Sequence, residues 1–142
     1  MADLLVNIDV DDLDRAVAFY GEAFGLTVGR RFGAFGVEML GANAPLYLLA
    51  KPEGSRVSSS AMASRRAYDR HWTPVHLDFV VPDIEAALTK AERAGARLEG
   101  AVRTHPWGRL ATLADPFGHG FCLIQFLGRG YDEIADGGGA SP

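Results

Sequence analysis

The sequence repeats one pattern of strand, turn and helix start at an interval of half its 142 residues. Val6, Ile8 and Val10 stand at every second position and lead to Asp12, and Leu77, Phe79 and Val81 repeat this spacing and lead to Asp83. Alternation over five residues predicts a half-buried β-strand, and an aspartate directly after it suits a helix N-cap. A chain with this repeat is expected to fold as two copies of one supersecondary unit.

Each half continues with a helix and three short strands. Apolar residues follow at helical spacing from Leu13 and from Ile84, until Gly25 and Gly95 predict the helix ends. The strands predicted after the helices cover residues 26–32, 35–40 and 46–50 in the first half, and 97–102, 109–113 and 121–126 in the second. The sequence therefore predicts an α+β fold of two βαβββ modules, residues 4–51 and 74–127.

Two segments fit neither module. Residues 52–73 form a connecting loop with more basic than acidic side chains. A loop of roughly 20 residues is long for a compact domain, so a functional lid and a disordered linker both stay open as interpretations. The tail, residues 128–142, contains a glycine run and is predicted to fray, with Tyr131 and Ile134 as candidate anchors.

Composition excludes several classes of protein. The net charge is −4, from 14 basic and 18 acidic residues, which argues against a nucleic-acid partner. No apolar run approaches the ~18 residues of a membrane span, and the acidic N-terminal residues lack the basic region of a signal peptide. The single Cys122 cannot form a disulfide within the chain. These features predict a cytoplasmic protein without a membrane partner.

Three segments carry a resemblance to a known family: residues 6–20, residues 76–83, and the turn Asp-Pro-Phe-Gly-His-Gly at 115–120. In them the sequence resembles the vicinal oxygen chelate superfamily, which includes glyoxalase I, extradiol dioxygenases and bleomycin-resistance proteins. The resemblance covers residues 4–127 and implies that the two modules pair as curved sheets into a cup. It also implies a homodimer, in which modules pair within one chain or are exchanged between chains.

The resemblance further implies four metal-ligand positions, on the first and last strands of each module. They fall at Leu5, Tyr47, His76 and Cys122. His76 matches the family's ligand type, Leu5 has no donor atom, and Cys122 stands where the enzymes usually carry Glu. A hard cation such as Mg²⁺ requires oxygen ligands that Leu5 does not offer. We therefore expect no cofactor, with a divalent metal held at His76 as the alternative.

Strand alternation indicates which side chains face the cup. The expected pocket is largely apolar with a few polar groups, a composition that suits a small organic ligand. The predicted ligand-binding residues are Asn7, Asp9, Tyr47, Leu49, His76, Asp78, Trp107, Cys122 and Ile124. For Asp9 and Asp78, the alternative to ligand binding is simple exposure at the rim of a sheet. For Trp107, the alternative is that its ring anchors a loop.

Four residues of the pocket are candidate catalytic groups: His76, Asp78, Tyr47 and Cys122. An imidazole can act as a general base without a metal, and Cys122 with His76 could form a nucleophile and its base. A buried, inert thiol is the alternative for Cys122.

Two functions remain open at this point. The first is a metal-free protein that sequesters or senses a small organic molecule, as the resemblance to bleomycin-resistance proteins implies. The second is a lyase, isomerase or dioxygenase with an altered or absent metal site, as the resemblance to glyoxalase I implies. A domain that serves a partner protein is a third interpretation, which requires that the cup be filled by its own side chains.

Overall fold

A computed structural model describes residues 1–60 and 64–137, and its elements follow the βαβββ order twice. The first module contains β1 (Val6–Val10), α1 (Leu13–Phe24), β2 (Thr27–Arg31), β3 (Gly36–Leu40) and β4 (Leu46–Ala50). The second contains β5 (Leu77–Val80), α2 (Ile84–Ala94), β6 (Arg97–His105), β7 (Gly108–Ala114) and β8 (Gly120–Phe126). The predicted α+β fold of two modules is confirmed.

Each module forms one mixed four-stranded sheet, with strand orders β1-β4-β3-β2 and β5-β8-β7-β6. The first and last strands of each module pair in parallel, and the other pairs are antiparallel. This register places Asn7 beside Tyr47 and Asp78 beside Cys122, so each pair lies on one face of its sheet. We call these the open faces, because residues of the other face, such as Val10, are fully buried in the core.

Aspartates begin both helices and glycines end them, as the sequence predicts. The Asp12 carboxylate accepts a hydrogen bond from the Arg15 backbone N–H at 3.0 Å, and Asp83 caps two N–H groups of α2. Gly25 and Gly95 have φ angles of 68° and 121°, a region that side chains with a Cβ rarely adopt. No helix in the described part of the chain is long and apolar enough to cross a membrane.

An aromatic cluster joins the two modules into one core. Phe19 and Phe24 of α1 meet Phe79 of β5 and Phe121 of β8. The Phe24 and Phe79 rings are stacked with their centroids 3.8 Å apart, and Phe19 is only 1% exposed. Because α1 and α2 also contact each other, the buried residues of both modules form one continuous cluster. The first module therefore depends on the second for the burial of its helix.

A buried hydrogen-bond network lies beside this cluster. The Asp115 carboxylate accepts hydrogen bonds from the Tyr20 hydroxyl at 2.5 Å and from the backbone N–H groups of Phe117 and His119 at 2.8 and 2.9 Å. Burial, with Asp115 close by, raises the pKa of Tyr20 well above its usual value, so the hydroxyl remains a donor. The turn at residues 115–120 is thereby fixed to α1 of the other module.

The beginning of the tail packs against the second module. A 3₁₀-helix, Gly130–Glu133, brings the Tyr131 ring against Trp107 and Phe126, at centroid distances of 5.2 and 4.8 Å. Tyr131 therefore acts as the predicted anchor, whereas Ile134 is 54% exposed. Fraying was expected for the whole tail from residue 128, and this is wrong for its beginning, which contains the packed helix. Residues 138–142 of the tail and residues 61–63 of the connecting loop lie outside the described residues.

Candidate functional site between the two sheets

A cavity of about 340 Å³ lies in the gap between β1 and β5, the edge strands of the two sheets. Its walls are formed by Val6, Asn7, Ile8, Asp9, Tyr20, His71, Thr73, Val75, His76, Leu77, Phe79, His119, Gly120 and Phe121. The volume is at the lower end of the roughly 300–1,000 Å³ that is usual for ligand sites. Since the cavity separates two strand edges, side chains from both faces of each strand reach it. Val6, Ile8 and Phe79 therefore line the cavity and also pack against the hydrophobic core.

The connecting loop forms one wall of this cavity. Its Arg66 side chain pairs with the Asp9 carboxylate at 2.7 Å, and the Tyr68 hydroxyl donates to the Lys51 carbonyl oxygen at 2.6 Å. Both contacts hold the loop against the first module. The described part of the loop is thus a fixed wall, and the predicted ligand residue Asp9 is partly occupied by its ion pair with Arg66.

Two histidines connect the loop with both modules. His119 Nε2 donates to the Asp9 carbonyl oxygen at 2.6 Å, and His119 Nδ1 lies 2.9 Å from His71 Nε2. His71 Nδ1 in turn donates to the Asp69 carbonyl oxygen at 2.9 Å. His119 is half-buried because His71, distant in sequence, is brought against it by the loop.

Trp72 lies beside the cavity, against Gly120 and His76, two of the residues that line it. Its indole lies so close over Gly120 that a Cβ at that position would overlap it. The ring is 4.7 Å from the His76 ring, and the Arg70 guanidinium lies 5.6 Å from the indole. Arg70 is itself paired with Glu99 of β6 at 2.5 Å. The indole is therefore positioned from both sides while 47% of the residue stays exposed.

Three candidate catalytic residues lie together on the open face of the second sheet. His76 Nε2 is 3.2 Å from Asp78 Oδ1, and the Cys122 thiol completes a group whose ligand atoms all lie within 4.8 Å of one another. Burial, and then the neighbouring Asp78, raise the pKa of the Cys122 thiol, although a hydrogen bond with Thr112 opposes them. A protonated, buried thiol is a poor nucleophile, which favours the inert alternative for Cys122.

The four metal positions implied by the family do not form one site with four donors. Leu5 offers no donor atom and is 57% exposed, and the Tyr47 hydroxyl is bound to Glu38. His76 and Cys122 do lie together, and Asp78 adds a third donor that the sequence analysis did not count as a ligand. The donors on this sheet come from the second module alone.

The remaining predicted residues lie outside the cavity walls. Tyr47 and Leu49 lie on the open face of the first sheet, and Ile124 lies on that of the second. Trp107 packs in the aromatic cluster of the tail, which supports the anchoring role. Tyr20, His71, Thr73 and His119 also line the cavity, although the strand pattern does not predict them. A histidine and a tryptophan at residues 71–72 are a sequence signal for the segment with His71 and Thr73, and no comparable signal marks Tyr20 or His119.

A charged cluster occupies the open face of the first sheet. Arg30 binds the Glu38 carboxylate through Nε at 3.1 Å and Nη2 at 2.7 Å, and the Tyr47 hydroxyl donates to the same carboxylate at 2.9 Å. Hydrogen bonds from the Arg30 side chain, and then from its backbone N–H, lower the pKa of Glu38 from 4.5 to about 2. Glu38 is thus held as a carboxylate throughout the neutral range.

We expect the cluster of Arg30, Glu38 and Tyr47 to make the stability of the folded protein depend on pH. Because the folded pKa of Glu38 is the lower one, its contribution is complete above pH 4.5 and is lost as the pH falls towards about 2. At about pH 6 the melting temperature of the wild type should therefore be higher than that of Glu38→Gln, and this difference in melting temperature should vanish near pH 2. Thermal unfolding of both proteins between about pH 2 and pH 6 measures this difference. A difference in melting temperature that does not change with pH would show that the Glu38 carboxylate does not stabilise the fold in the way described.

A family model described as a glyoxalase-like domain matches residues 5–124. The chain belongs to the glyoxalase-like family. This match confirms the predicted membership of the vicinal oxygen chelate superfamily. The match spans both modules, so it includes both strands that border the cavity.

Individual relatives agree with this assignment. The glyoxalase-like chain is similar to anthracycline biosynthesis protein DauV of Streptomyces sp. (strain C5), 29% identical over 135 residues, which are 93% of this chain and 44% of DauV. It resembles fosfomycin resistance protein FosX of Listeria monocytogenes (16% identity, TM-score 0.66, 89% and 94% of the two chains). It also resembles TnmS3, an antibiotic binding protein of Streptomyces sp. CB03234 (24%, TM-score 0.61, 89% and 97%). The chain spans less than half the length of the curated relatives that it matches.

Proposed function

We propose that this glyoxalase-like protein binds a small organic molecule in the cavity between β1 and β5. The observation that carries the proposal is the composition of the walls. Apolar side chains such as Phe79 and Phe121 supply most of the surface, and a few polar groups, among them Asn7 and His76, interrupt it. Such a site selects its ligand by shape and orients it by a small number of hydrogen bonds.

The relatives support a class of ligand. TnmS3 is an antibiotic binding protein and DauV belongs to anthracycline biosynthesis. A planar, largely apolar compound with polar substituents matches aromatic walls that carry isolated polar groups. We therefore propose a natural product of this kind as the ligand and an anthracycline as the first probe.

Binding is expected to weaken about fivefold in Asn7→Ala, since the loss of one neutral hydrogen bond is worth ~1 kcal/mol. Titration calorimetry with an anthracycline measures the affinity. Asn43→Ala is the matched control, because Asn43 lies in a separate cleft between α1 and α2 and outside the cavity walls. Equal losses in both variants, or no binding by the wild type, would contradict the proposed site.

We propose that this binding does not require the four-ligand metal centre of the family's enzymes. Leu5 cannot complete such a centre, and the cavity walls hold a ligand by packing and hydrogen bonds alone. Chelator-treated protein should therefore bind the probe as tightly as untreated protein. A loss of affinity after chelation, restored by added metal, would overturn this part of the proposal.

An enzyme of the lyase or isomerase type is the second candidate, and the pair formed by His76 and Asp78 favours it. A carboxylate 3.2 Å from the imidazole can fix the ring and stabilise its protonated form, as a general base requires. In that case the probe recovered after incubation would be changed in structure, and His76→Gln would abolish the change. Recovery of the unaltered probe favours binding alone.

A further inference from the structure

His71 of the connecting loop and His119 of the turn at residues 115–120 meet through their ring nitrogens. His119 Nδ1 lies 2.9 Å from His71 Nε2, and the two rings are nearly perpendicular, at 79°. The backbone brings them together, because the His71 N–H donates to the Gly118 carbonyl oxygen at 2.9 Å and the two histidines form a parallel bridge. The position of each ring is therefore constrained by the chain that carries it.

The hydrogen bonds of the pair determine how many protons it holds. His119 Nε2 lies 2.6 Å from the Asp9 carbonyl oxygen, and His71 Nδ1 lies 2.9 Å from the Asp69 carbonyl oxygen. A carbonyl oxygen only accepts hydrogen bonds, so both of these outer nitrogens carry a hydrogen. If both rings were neutral, the two inner nitrogens would turn lone pairs towards each other across 2.9 Å. Three hydrogen bonds need three hydrogens, and two neutral imidazoles carry only two.

Two carboxylates lie close to the pair and favour an additional proton. The His119 backbone N–H donates to the Asp115 carboxylate at 2.9 Å, and the His119 ring binds the backbone of Asp9. The positive charge of Arg66 opposes this effect, because Arg66 forms an ion pair with the Asp9 carboxylate.

The other charged and titratable residues near the pair belong to the loop and the cavity wall. Arg70 of the loop is paired with Glu99. Burial raises the pKa of Tyr68 to about 12 and raises the pKa of Tyr20 well above its usual value, so both phenols stay neutral at physiological pH. The further neighbours are Asp69 of the loop and His76 of the cavity wall.

We infer that His71 and His119 share one additional proton, which fastens the connecting loop to both modules. Asp9 belongs to the first module, His119 to the second and His71 to the loop, so the shared proton completes a chain of hydrogen bonds across all three. Release of this proton to solvent at high pH breaks the central bond. Uptake of a second proton at low pH places two N–H groups opposite each other. The loop is therefore fastened only in a window around neutral pH. This inference goes beyond the proposed function, because the proton fixes a cavity wall whatever the cavity binds.

Long-range ¹H–¹⁵N NMR spectra of the full chain count these hydrogens, because a ring nitrogen that carries a hydrogen differs in shift from one with a free lone pair. At about pH 7 we expect both outer nitrogens to be fully protonated and the inner two to share one hydrogen. Spectra of His71→Gln and His119→Gln assign the signals. His105 is the internal control, because it stacks on Trp107 away from the pair and should show no shared hydrogen. Only one hydrogen on each ring of the pair at this pH would overturn the inference.

Thermal unfolding gives a second measurement, which needs no assignment. The folded pair holds a proton that unfolded histidines release as the pH rises, so its contribution to stability is lost above neutral pH. It is also lost in acid, because the folded pair resists the second proton that unfolded histidines accept. The melting temperature of the wild type should exceed that of His71→Gln most near about pH 7, and this difference should fall by at least half at about pH 5 and pH 9. His105→Gln should show no such maximum.

A difference in melting temperature that is the same at every pH would contradict the shared proton. Should His71→Gln fail to fold, the hydrogen count in the wild type still decides the question. Neither measurement uses a ligand, so failure of this inference and failure of the proposed function are distinguishable.

Discussion

Phe19→Ala is expected to lower the free energy of unfolding by about 4 kcal/mol, the largest effect among the substitutions considered. Phe19 is 1% exposed, and its ring makes edge-to-face contacts with Tyr20, Phe24 and Phe121. Truncation would remove apolar burial and leave a cavity at the junction of the modules, where neither sheet can close it. Loss of this ring should therefore destabilise both modules together.

Urea unfolding followed by far-UV circular dichroism measures this effect. Phe35→Ala is the matched control, because the same atoms are removed from a residue that is 80% exposed, and the change should stay within ~0.5 kcal/mol. A single cooperative transition is expected in each protein. Two separate transitions, or similar losses in the two variants, would show that the modules do not share one core.

Asp115→Ala is expected to cost about 3 kcal/mol. The substitution leaves the Tyr20 hydroxyl and the backbone N–H groups of Phe117 and His119 without their acceptor, and each buried donor left unpaired costs ~1 kcal/mol or more. It should also weaken probe binding, because Tyr20 and His119 line the cavity.

Tyr20→Phe separates the parts of this network. It removes only the hydrogen bond between α1 and the turn at residues 115–120 and should cost about 2 kcal/mol, while Asp115 keeps two backbone donors. In a double-mutant cycle by urea unfolding, the two substitutions should together cost less than their sum. Strict additivity would mean that the hydroxyl and the carboxylate do not interact.

The fold could be predicted because its signals are local. Alternation from residue 6 and from residue 77, with Asp12 and Asp83 as caps and Gly25 as a stop, depends on interactions within a few residues. Such interactions are present in the sequence whatever the tertiary structure. The ends of β6 and β7 were less well predicted, since both strands extend beyond the expected residues.

The cavity could be predicted only in part, because it lies between the edges of two sheets, whereas strand alternation predicts only which residues share one face of a sheet. Strand parity predicts that Asn7 and His76 face the pocket, and both line the cavity, but parity cannot show how far apart two sheet edges lie. The contacts of His71 with His119 join residues distant in sequence, and no periodicity reports such a pair. The sequence predicts Asp78 in the pocket, but it does not predict the contact of its carboxylate with the His76 imidazole. The homodimer and the cytoplasmic location stay predictions.

The two halves of the repeat carry different kinds of residue at equivalent places. The first module contributes the wall formed by residues 6–9, and the second contributes the donor group at His76, Asp78 and Cys122. Because β1 and this group belong to different modules, substitutions in β1 are expected to change the shape of the cavity wall while the three donor side chains keep their places on the second sheet. The shape of the cavity and the chemistry of the donor group can therefore vary independently of each other.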